Sequence, residues 1–258
     1  MANDFRNDLS EGRHLDRPAS SQSIAVGIDA CRGGWIAASG EEPGLRVFGS
    51  FDSLADSFPE GSILMVDIPI GLPDGDSAGR ECDRLARQGL APRRGSSVFP
   101  APLRATLAAD SYEEACHLSS QLCGKKLSKQ TFNILPKVRE VDTYLRGTAR
   151  HRVWECHPEL AFCGLNGGTP LLHSKKTDEG KQERLDLLAP IIPGVQDIYA
   201  KTLAGIPRLQ AAADDILDAL VNFSVASAPP ERWRILPPTP PEDLCGLPMG
   251  ILFADYSP

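Results

Sequence analysis

Three apolar runs in this chain end at a carboxylate. Asp29 closes the run that begins at residue 24, Asp67 closes the run that begins at residue 63, and Glu155 follows a third run. A carboxylate at the end of a buried strand is poorly solvated unless a cation compensates its charge. Several such groups brought together repel one another, so either their pKa values rise or a divalent cation lies between them. The pattern therefore predicts a metal-dependent site at the ends of strands.

A fourth acidic segment, DDILDAL at residues 214–220, has the pattern of a helix. Asp215 and Asp218 are three residues apart, so they share one face and can point at the same site. Asp214 is better explained as a helix cap or a solvated acid. Mg²⁺ and Mn²⁺ are hard cations that prefer oxygen ligands. We predict Mg²⁺ or Mn²⁺ ligands at Asp29, Asp67, Asp215 and Asp218, with Glu155 as a further catalytic carboxylate.

Each acid also has a structural interpretation. Asp29 precedes a Gly-Gly turn and Asp67 precedes Ile-Pro, so both could be turn formers. Glu155 could pair with Arg152 or another arginine. His157 could assist proton transfer or be a structural histidine. A zinc site is disfavoured, because Cys31, Cys82 and Cys156 lack a recognisable zinc spacing.

The charge of the chain is unevenly distributed. The net charge is −7, which weakly disfavours a nucleic-acid partner. Residues 73–152 nevertheless carry 14 Lys and Arg against nine Asp and Glu, which favours an anionic ligand there unless these are solvated helix faces. Six basic residues are candidate phosphate contacts: Arg80, Arg84, Arg93, Arg94, Lys175 and Lys176.

Composition predicts a protein without membrane segments. Hydrophobic residues make up 41% and charged residues 24%, as in soluble globular proteins, and no apolar run is long enough to span a bilayer. Residues 1–23 are polar and lack a signal-peptide core, so we expect a disordered leader. Seven cysteines without a Cys-x-x-Cys pair favour a reducing, cytoplasmic location. The sequence does not indicate an oligomeric state.

Hydrophobic periodicity predicts an α/β fold. Strands are expected at residues 24–29, 35–39, 45–51, 63–70 and 153–162, the last running into a loop at residues 157–158, with a short helix at 53–58 between the third and fourth. Residues 73–152 are expected to form a mostly helical, basic insertion between the fourth and fifth strands. Further helices are expected near 184–188 and 211–226, and an apolar segment at 250–253 precedes a tail at 254–258. The prediction is a single domain over 24–253, with a mixed five-stranded sheet flanked by helices.

This order of strands and acids is that of the ribonuclease H topology. The chain also resembles a family of uncharacterised proteins that are predicted nucleases of the RNase H-like fold. The resemblance is carried by GIDACRGGW at 27–35, DIPIGLP at 67–73, ECHPE at 155–159 and DDILDA at 214–219, with RECD at 80–83, SVF at 97–99 and SKK at 174–176 between them.

The last helix is similar to that of RuvC-type Holliday-junction resolvases, which carry an Asp-x-x-Asp-Ala stretch there. The stretch falls on Asp215, Asp218 and Ala219 of this chain. Asp29 matches the resolvases' first-strand aspartate, whereas Asp67 stands where they have a glutamate. The resemblance implies a nuclease that hydrolyses phosphodiester bonds of DNA or RNA with two Mg²⁺ or Mn²⁺ ions.

Two other classes of function fit the sequence. Sugar kinases and actin-like ATPases share this superfold and bind nucleotide phosphate at the first hairpin, which here would be residues 27–34. Those proteins usually have two such domains, so the length of 258 residues weighs against this class. A non-catalytic binding module is the other alternative, and a small phosphorylated substrate is compatible with the negative net charge.

Overall fold

The computed structural model describes residues 23–75, 79–147 and 149–257. The expected leader lies outside these ranges except for its last residue. The strands are β1 Ala25–Cys31, β2 Gly34–Ser39, β3 Gly44–Phe48, β4 Ile63–Val66, β5 Arg152–Glu155, β6 Trp233–Leu236 and β7 Ile251–Ala254. They form one mixed sheet in the order β3-β2-β1-β4-β5-β7-β6.

The helices cover both faces of this sheet. They are α1 Phe51–Ala55, α2 Glu81–Gly89, α3 Tyr112–Cys123, α4 Lys129–Arg146, α5 Pro158–Leu165, α6 Asp178–Leu188, α7 Val195–Gly205 and α8 Ala213–Ser227. Residues of α1 and α4 pack against one face of β1, β2 and β4, and residues of α5 to α8 pack against the other. In the described part of the chain, no helix combines the length and apolar character needed to cross a membrane.

The α/β class, with a mixed sheet flanked by helices, is confirmed, but the predicted number of strands is wrong. The sheet has seven strands instead of five, because β7 pairs with β5 in parallel and β6 pairs with β7 antiparallel. The apolar segment predicted at 250–253 thus becomes a buried strand. β6 was not predicted, since four residues with Arg234 in their midst and prolines on either side give little strand signal. Helices α2 to α4 lie between β4 and β5, where the sequence predicts a helical insertion.

The predicted fifth strand at 153–162 is correct only in its first part. β5 ends at Glu155, and α5 begins at Pro158. Proline is favoured in the first turn of a helix, where its missing N–H group is not needed. The apolar residues after it therefore line a buried helix rather than a strand. Helix α7 was also missed.

Strands β1 and β4 bring two of the predicted site residues to one edge of the sheet. They are parallel, with Ile28 opposite Val66, and the Asp67 N–H donates to the Ile28 carbonyl over 3.2 Å. Asp29 and Asp67 therefore leave adjacent strands at their carboxyl ends. Because side chains alternate along a strand, Gly27 and Asp29 point to the same face, which is the face covered by α8.

Gly27 allows α8 to approach β1 at backbone distance. A Cβ atom at this position would lie 1.9 Å from the Phe223 nitrogen and 2.2 Å from the Ala219 oxygen. A side-chain hydrogen bond also joins the two elements, because Asn222 Nδ2 of α8 donates to the Ile28 carbonyl of β1 over 2.9 Å. Asp218 lies one turn before this contact, so the approach of α8 to β1 also fixes Asp218 relative to Asp29.

We predict that Gly27→Ala destabilises the protein by at least about 2 kcal/mol, because the added methyl group meets backbone atoms that cannot rotate away. Urea denaturation followed by circular dichroism measures the change. Gly44→Ala in β3 is the matched control, since a Cβ there has nothing within 4 Å, and it should change stability by less than about 0.5 kcal/mol. Equal effects of the two substitutions would contradict the packing argument.

Candidate active site

Carboxylates from three different elements come together at the ends of β1 and β4. Asp29 and Asp218 are 7% and 3% exposed, and Asp67 is half-buried. Burial, followed by the charges of Asp218, Asp67 and Asp215, raises the pKa of Asp29 well above its usual value. Burial also raises the pKa of Asp218, to about 6, although Lys175 opposes the shift. The pKa of Asp67 is raised by burial as well. These groups form an acidic cluster whose members disfavour one another's charged forms.

Lys175 provides a cation at this cluster. Its Nζ lies 2.6 Å from Asp218 Oδ2 and 3.5 Å from Asp214 Oδ2. Burial lowers the pKa of Lys175, but the charges of Asp218, Asp29 and Asp214 outweigh burial and raise it. The ammonium group is therefore charged at neutral pH and partly neutralises the cluster. The sequence predicts Lys175 as a phosphate contact, and the structure places it on a carboxylate.

The loop that carries Lys175 is fixed to α6. Both carboxylate oxygens of Glu183 accept backbone N–H groups, from Leu172 and His173, over 2.9 Å. At Gly180 a Cβ atom would lie 1.9 Å from the Ser174 oxygen, so the loop packs directly on the helix backbone. These contacts fix the loop that places Lys175 on Asp218.

Asp214 and Asp215 have separate roles at the start of α8. Asp215 Oδ2 accepts the Ala212 N–H over 2.8 Å, which satisfies a backbone donor at the helix start. Burial raises the pKa of Asp215, and its charge contributes to the raised pKa of Asp29. Asp214, predicted as a cap, pairs with Lys175 instead. Asp215 is thus close to the cluster while it also caps the helix.

The oxygen atoms of the cluster are of the type that a hard cation prefers, but in this structure the cation beside them is the ammonium group of Lys175. Within the described ranges, no group of three or more His, Cys, Asp or Glu residues is arranged so that it could hold a metal ion. Asp29, Asp67 and Asp218 supply carboxylate oxygens, the ligand type that Mg²⁺ and Mn²⁺ prefer. A cation already sits beside them, as the ammonium group of Lys175.

Glu155 belongs to a different, buried ion-pair network. Arg80 donates to both of its oxygens, from Nη1 to Oε2 over 2.6 Å and from Nη2 to Oε1 over 2.8 Å. Arg80 Nη2 also lies 2.5 Å from Asp83 Oδ1, and the Ile70 N–H donates to Glu155 Oε2 over 2.7 Å. Glu155 is the partner of an arginine 75 residues away. Both of its oxygens therefore have partners within the protein, as in the alternative interpretation of Glu155 as the partner of an arginine.

Three of the predicted phosphate-binding arginines have protein partners. Arg80 is 3% exposed and paired with Glu155, so a phosphate contact is excluded in this arrangement. Arg84 pairs with Glu81 over 3.1 Å on the exposed face of α2. Arg94 donates to the Leu171 and Leu172 carbonyls. Of the remaining candidates, Arg93 and Lys176 are exposed.

Two residues around the start of α5 flank the cluster, and sequence reasoning considered His157 but missed Glu159. Glu159, in the first turn of α5, raises the pKa of both Asp67 and Asp218 by its charge. His157, just before that helix, lowers the pKa of Asp67. A helix start at Pro158 could have been recognised from the sequence ECHPE, since proline followed by an acid is typical of a first turn.

We predict that Asp29→Asn stabilises the metal-free protein. The folded protein holds a proton on Asp29 more tightly than the unfolded chain does, so this carboxyl group lowers stability increasingly as pH rises from 3.8, its usual pKa, through the raised folded-state pKa. Asparagine removes the charge and can still accept the Ala30 N–H at 2.8 Å. The gain should therefore be smallest near pH 4 and reach about 1 kcal/mol or more at pH 8. Thermal unfolding with EDTA at both pH values measures it.

Two substitutions control this prediction. Asp186→Asn removes an exposed acid from α6 and should change stability little at either pH. Glu155→Gln should act in the opposite direction and destabilise by about 3 kcal/mol, because it removes one of the two carboxylates that neutralise buried Arg80 and leaves only Asp83. A large loss of stability in metal-free Asp29→Asn would show that Asp29 is a structural acceptor like Glu155.

The chain was compared with known proteins at the level of families, curated proteins and solved structures. A family model described as "Protein of unknown function (DUF429)" matches residues 27–242. The comparison with curated proteins and that with solved structures found no match. The matched segment begins within β1, ends after β6 and contains the whole acidic cluster with Lys175. The chain therefore belongs to the DUF429 family.

Proposed function

We propose that this protein is a Mg²⁺- or Mn²⁺-dependent nuclease that hydrolyses phosphodiester bonds, built on an RNase H-like core. The observation that carries the proposal is the acidic cluster. Asp29, Asp67 and Asp218 come from three elements, and burial raises the pKa of each. The charges of Asp218 and Asp67 add to the raised pKa of Asp29, and the charge of Asp67 adds to that of Asp218. Buried carboxylates are costly to keep together without a cation, so their convergence indicates cation binding.

The order of strands supports the RNase H-like part of the proposal. β1, β2 and β3 form an antiparallel meander, and β4 and β5 follow in parallel on the other side of β1. This gives the order β3-β2-β1-β4-β5, which is that of the RNase H topology inferred from the sequence. β7 and β6 extend the sheet beyond β5 and do not interrupt this core.

The proposed chemistry assigns a role to each residue of the cluster. Asp29, Asp67 and Asp218 would hold the metal, with Asp215 beside them. When bound, the metal would activate a water molecule and stabilise the leaving oxygen. Lys175 would then exchange its carboxylate partner for a phosphate oxygen of the substrate, because both groups offer the same anionic acceptor. In its present position Lys175 is a counterion of the metal-free site.

A small phosphate ester is the second candidate substrate. This substrate is favoured because Arg80, Arg84 and Arg94 already contact carboxylates or carbonyls of the protein rather than a free surface. These arginines were expected to guide a nucleic-acid backbone. Because these three side chains have protein partners, fewer basic residues remain to contact the phosphates of a polymer.

The proposal is tested by measuring hydrolysis of single-stranded, duplex and branched DNA, of RNA, of bis(p-nitrophenyl) phosphate and of ATP, with Mg²⁺, Mn²⁺ or EDTA. We expect cleavage of a phosphodiester that requires the metal and falls by about a hundredfold or more in Asp29→Asn. Cleavage of the small diester alone would favour the second candidate. ATP hydrolysis alone would favour an ATPase of the same superfold, and no metal-dependent reaction on any substrate would contradict the proposal.

We also predict that Lys175→Met binds Mn²⁺ about tenfold more tightly than the wild-type protein at pH 7.5, because removing a competing cation is expected to contribute about 1.4 kcal/mol. Isothermal titration calorimetry measures the affinity. Lys176→Met is the matched control, since Lys176 is adjacent but exposed, and its affinity should stay near that of the wild type. Weaker binding by Lys175→Met than by Lys176→Met would show that Lys175 does not occupy a cation position.

A further inference from the structure

Two turns of the backbone meet beside the carboxyl end of β1. The first, between β1 and β2, contains Arg32 and Gly33, and the second, between α7 and α8, contains Arg208 and Gln210. The Gly33 N–H donates to the Gln210 carbonyl over 2.7 Å. A Cβ atom at Gly33 would lie 3.3 Å from the Gln210 Cα atom, so the two backbones are in contact. We call this joined surface, residues 32–33 and 208–210, the double turn.

The double turn carries two arginines that are accessible to a ligand. Arg32 and Arg208 are both exposed. Neither side chain forms an ion pair or a hydrogen bond with another residue in the described part of the chain. They differ in this respect from Arg80, Arg84 and Arg94, which contact carboxylates or carbonyls of the protein. An external anion can therefore bind to the double turn without displacing a protein partner.

The double turn adjoins the acidic cluster through both of its segments. Arg32 follows Asp29 by three residues, and a strand rises about 3.3 Å per residue, so its Cα atom lies about 10 Å beyond that of Asp29. Helix α8 begins three residues after Gln210 and carries Asp215 in its first turn. Burial raises the pKa of Asp215, and the charge of Arg32 is among those that oppose this shift. The double turn thus forms part of the rim of the acidic cluster.

The distance from the cluster to the double turn distinguishes a polymer from a small ester. Each strand of duplex DNA carries one charge per about 3.4 Å of helix axis, so a point about 10 Å from the cleaved phosphate corresponds to a phosphate about three nucleotides away. A small phosphate ester has no charged group at that distance. Acids alone repel a polyanion, and cations at the rim of the site reduce this repulsion. The position of the two arginines therefore favours a nucleic-acid strand.

We propose that Arg32 and Arg208 bind backbone phosphates of a nucleic-acid strand, outside the phosphate that is cleaved. The inference rests on the proposed function and selects a polymer over the small phosphate ester as the substrate. It also moves the expected basic contacts from residues 73–152 to two turns that meet only in the folded chain. Without this role, both arginines would be ordinary solvated residues.

The test measures binding of fluorescein-labelled single-stranded DNA and RNA to the full-length protein by fluorescence anisotropy, with EDTA present to prevent cleavage. We expect Arg32→Gln/Arg208→Gln to bind about tenfold or more weakly than the wild type near 0.1 M NaCl, and the slope of log affinity against log salt to flatten by about 0.7 for each lost contact. Arg84→Gln/Arg150→Gln is the charge-matched control, because both arginines are exposed and pair with acids. This control should bind as the wild type does.

Leu209→Arg provides a second measurement in the opposite direction. Leu209 is 80% exposed in the same turn as Arg208, so an arginine there adds a cation without disturbing the packing, and it should tighten binding and steepen the salt slope. Leu244→Arg, at an 82% exposed leucine between β6 and β7, is its control. Circular dichroism establishes that each variant is folded.

The outcomes separate this inference from the proposed function. A salt slope in Arg32→Gln/Arg208→Gln equal to that of its control would overturn the inference alone. A wild-type protein that hydrolyses the small diester but binds neither oligonucleotide would also overturn it and would leave the second candidate substrate. Binding to vesicles of equal parts phosphatidylserine and phosphatidylcholine, without binding to either oligonucleotide, would assign the double turn to an anionic membrane and would contradict the inference.

Discussion

The backbone contact between β1 and α8 is the constraint on which the candidate site depends. It exists because Gly27 has no side chain, so that the Phe223 nitrogen and the Ala219 oxygen come within a distance that any Cβ would obstruct. The contact sets the depth of α8 in the layer over the sheet and, through it, the position of Asp218. Asp29 is two residues further along the same face of β1. Two charged groups that repel each other are thus held together by packing between uncharged backbones.

Two carboxylates on parallel strands that flank β4 have different environments. Glu155, at the end of β5, is bound by both terminal nitrogens of Arg80 and by a backbone N–H group. Asp29, on β1, has a hydrogen bond from its neighbour's N–H and faces other acids. In the first arrangement a buried arginine opposes the cost of burying the carboxylate, whereas in the second the neighbouring acids add to that cost and Lys175 opposes it. The two positions look alike in sequence.

The parts of the structure that sequence reasoning could predict depend on local patterns. Continuous apolar runs predicted β1 and β4, and their parallel pairing brings Asp29 and Asp67 together as expected. Three-residue spacing predicted that Asp215 and Asp218 share a face of one helix. β6, by contrast, is short and polar in part, and it forms because β7 offers an edge to pair with.

The identity of charge partners could not be predicted in the same way. Arg80 and Glu155 are 75 residues apart and Arg104 and Asp243 are 139 apart, so each pairing depends on tertiary packing. Glu159 was overlooked because residues 153–162 were interpreted as a strand that runs into a loop at residues 157–158, which gives no helix face on which to place its side chain. Recognising the helix start at Pro158 would have placed Glu159 in a first turn beside β4.

The seating of Lys175 on Asp218 bears on the order in which the protein folds and becomes active. A cluster of acids that needs an external ion to fold would tie folding to the supply of that ion, as in small zinc domains. Here the chain carries its own counterion on a loop that Glu183 and Gly180 hold to α6. The chain can therefore fold with this charge already opposed by Lys175, and under the proposed function metal binding would be a separate, later event.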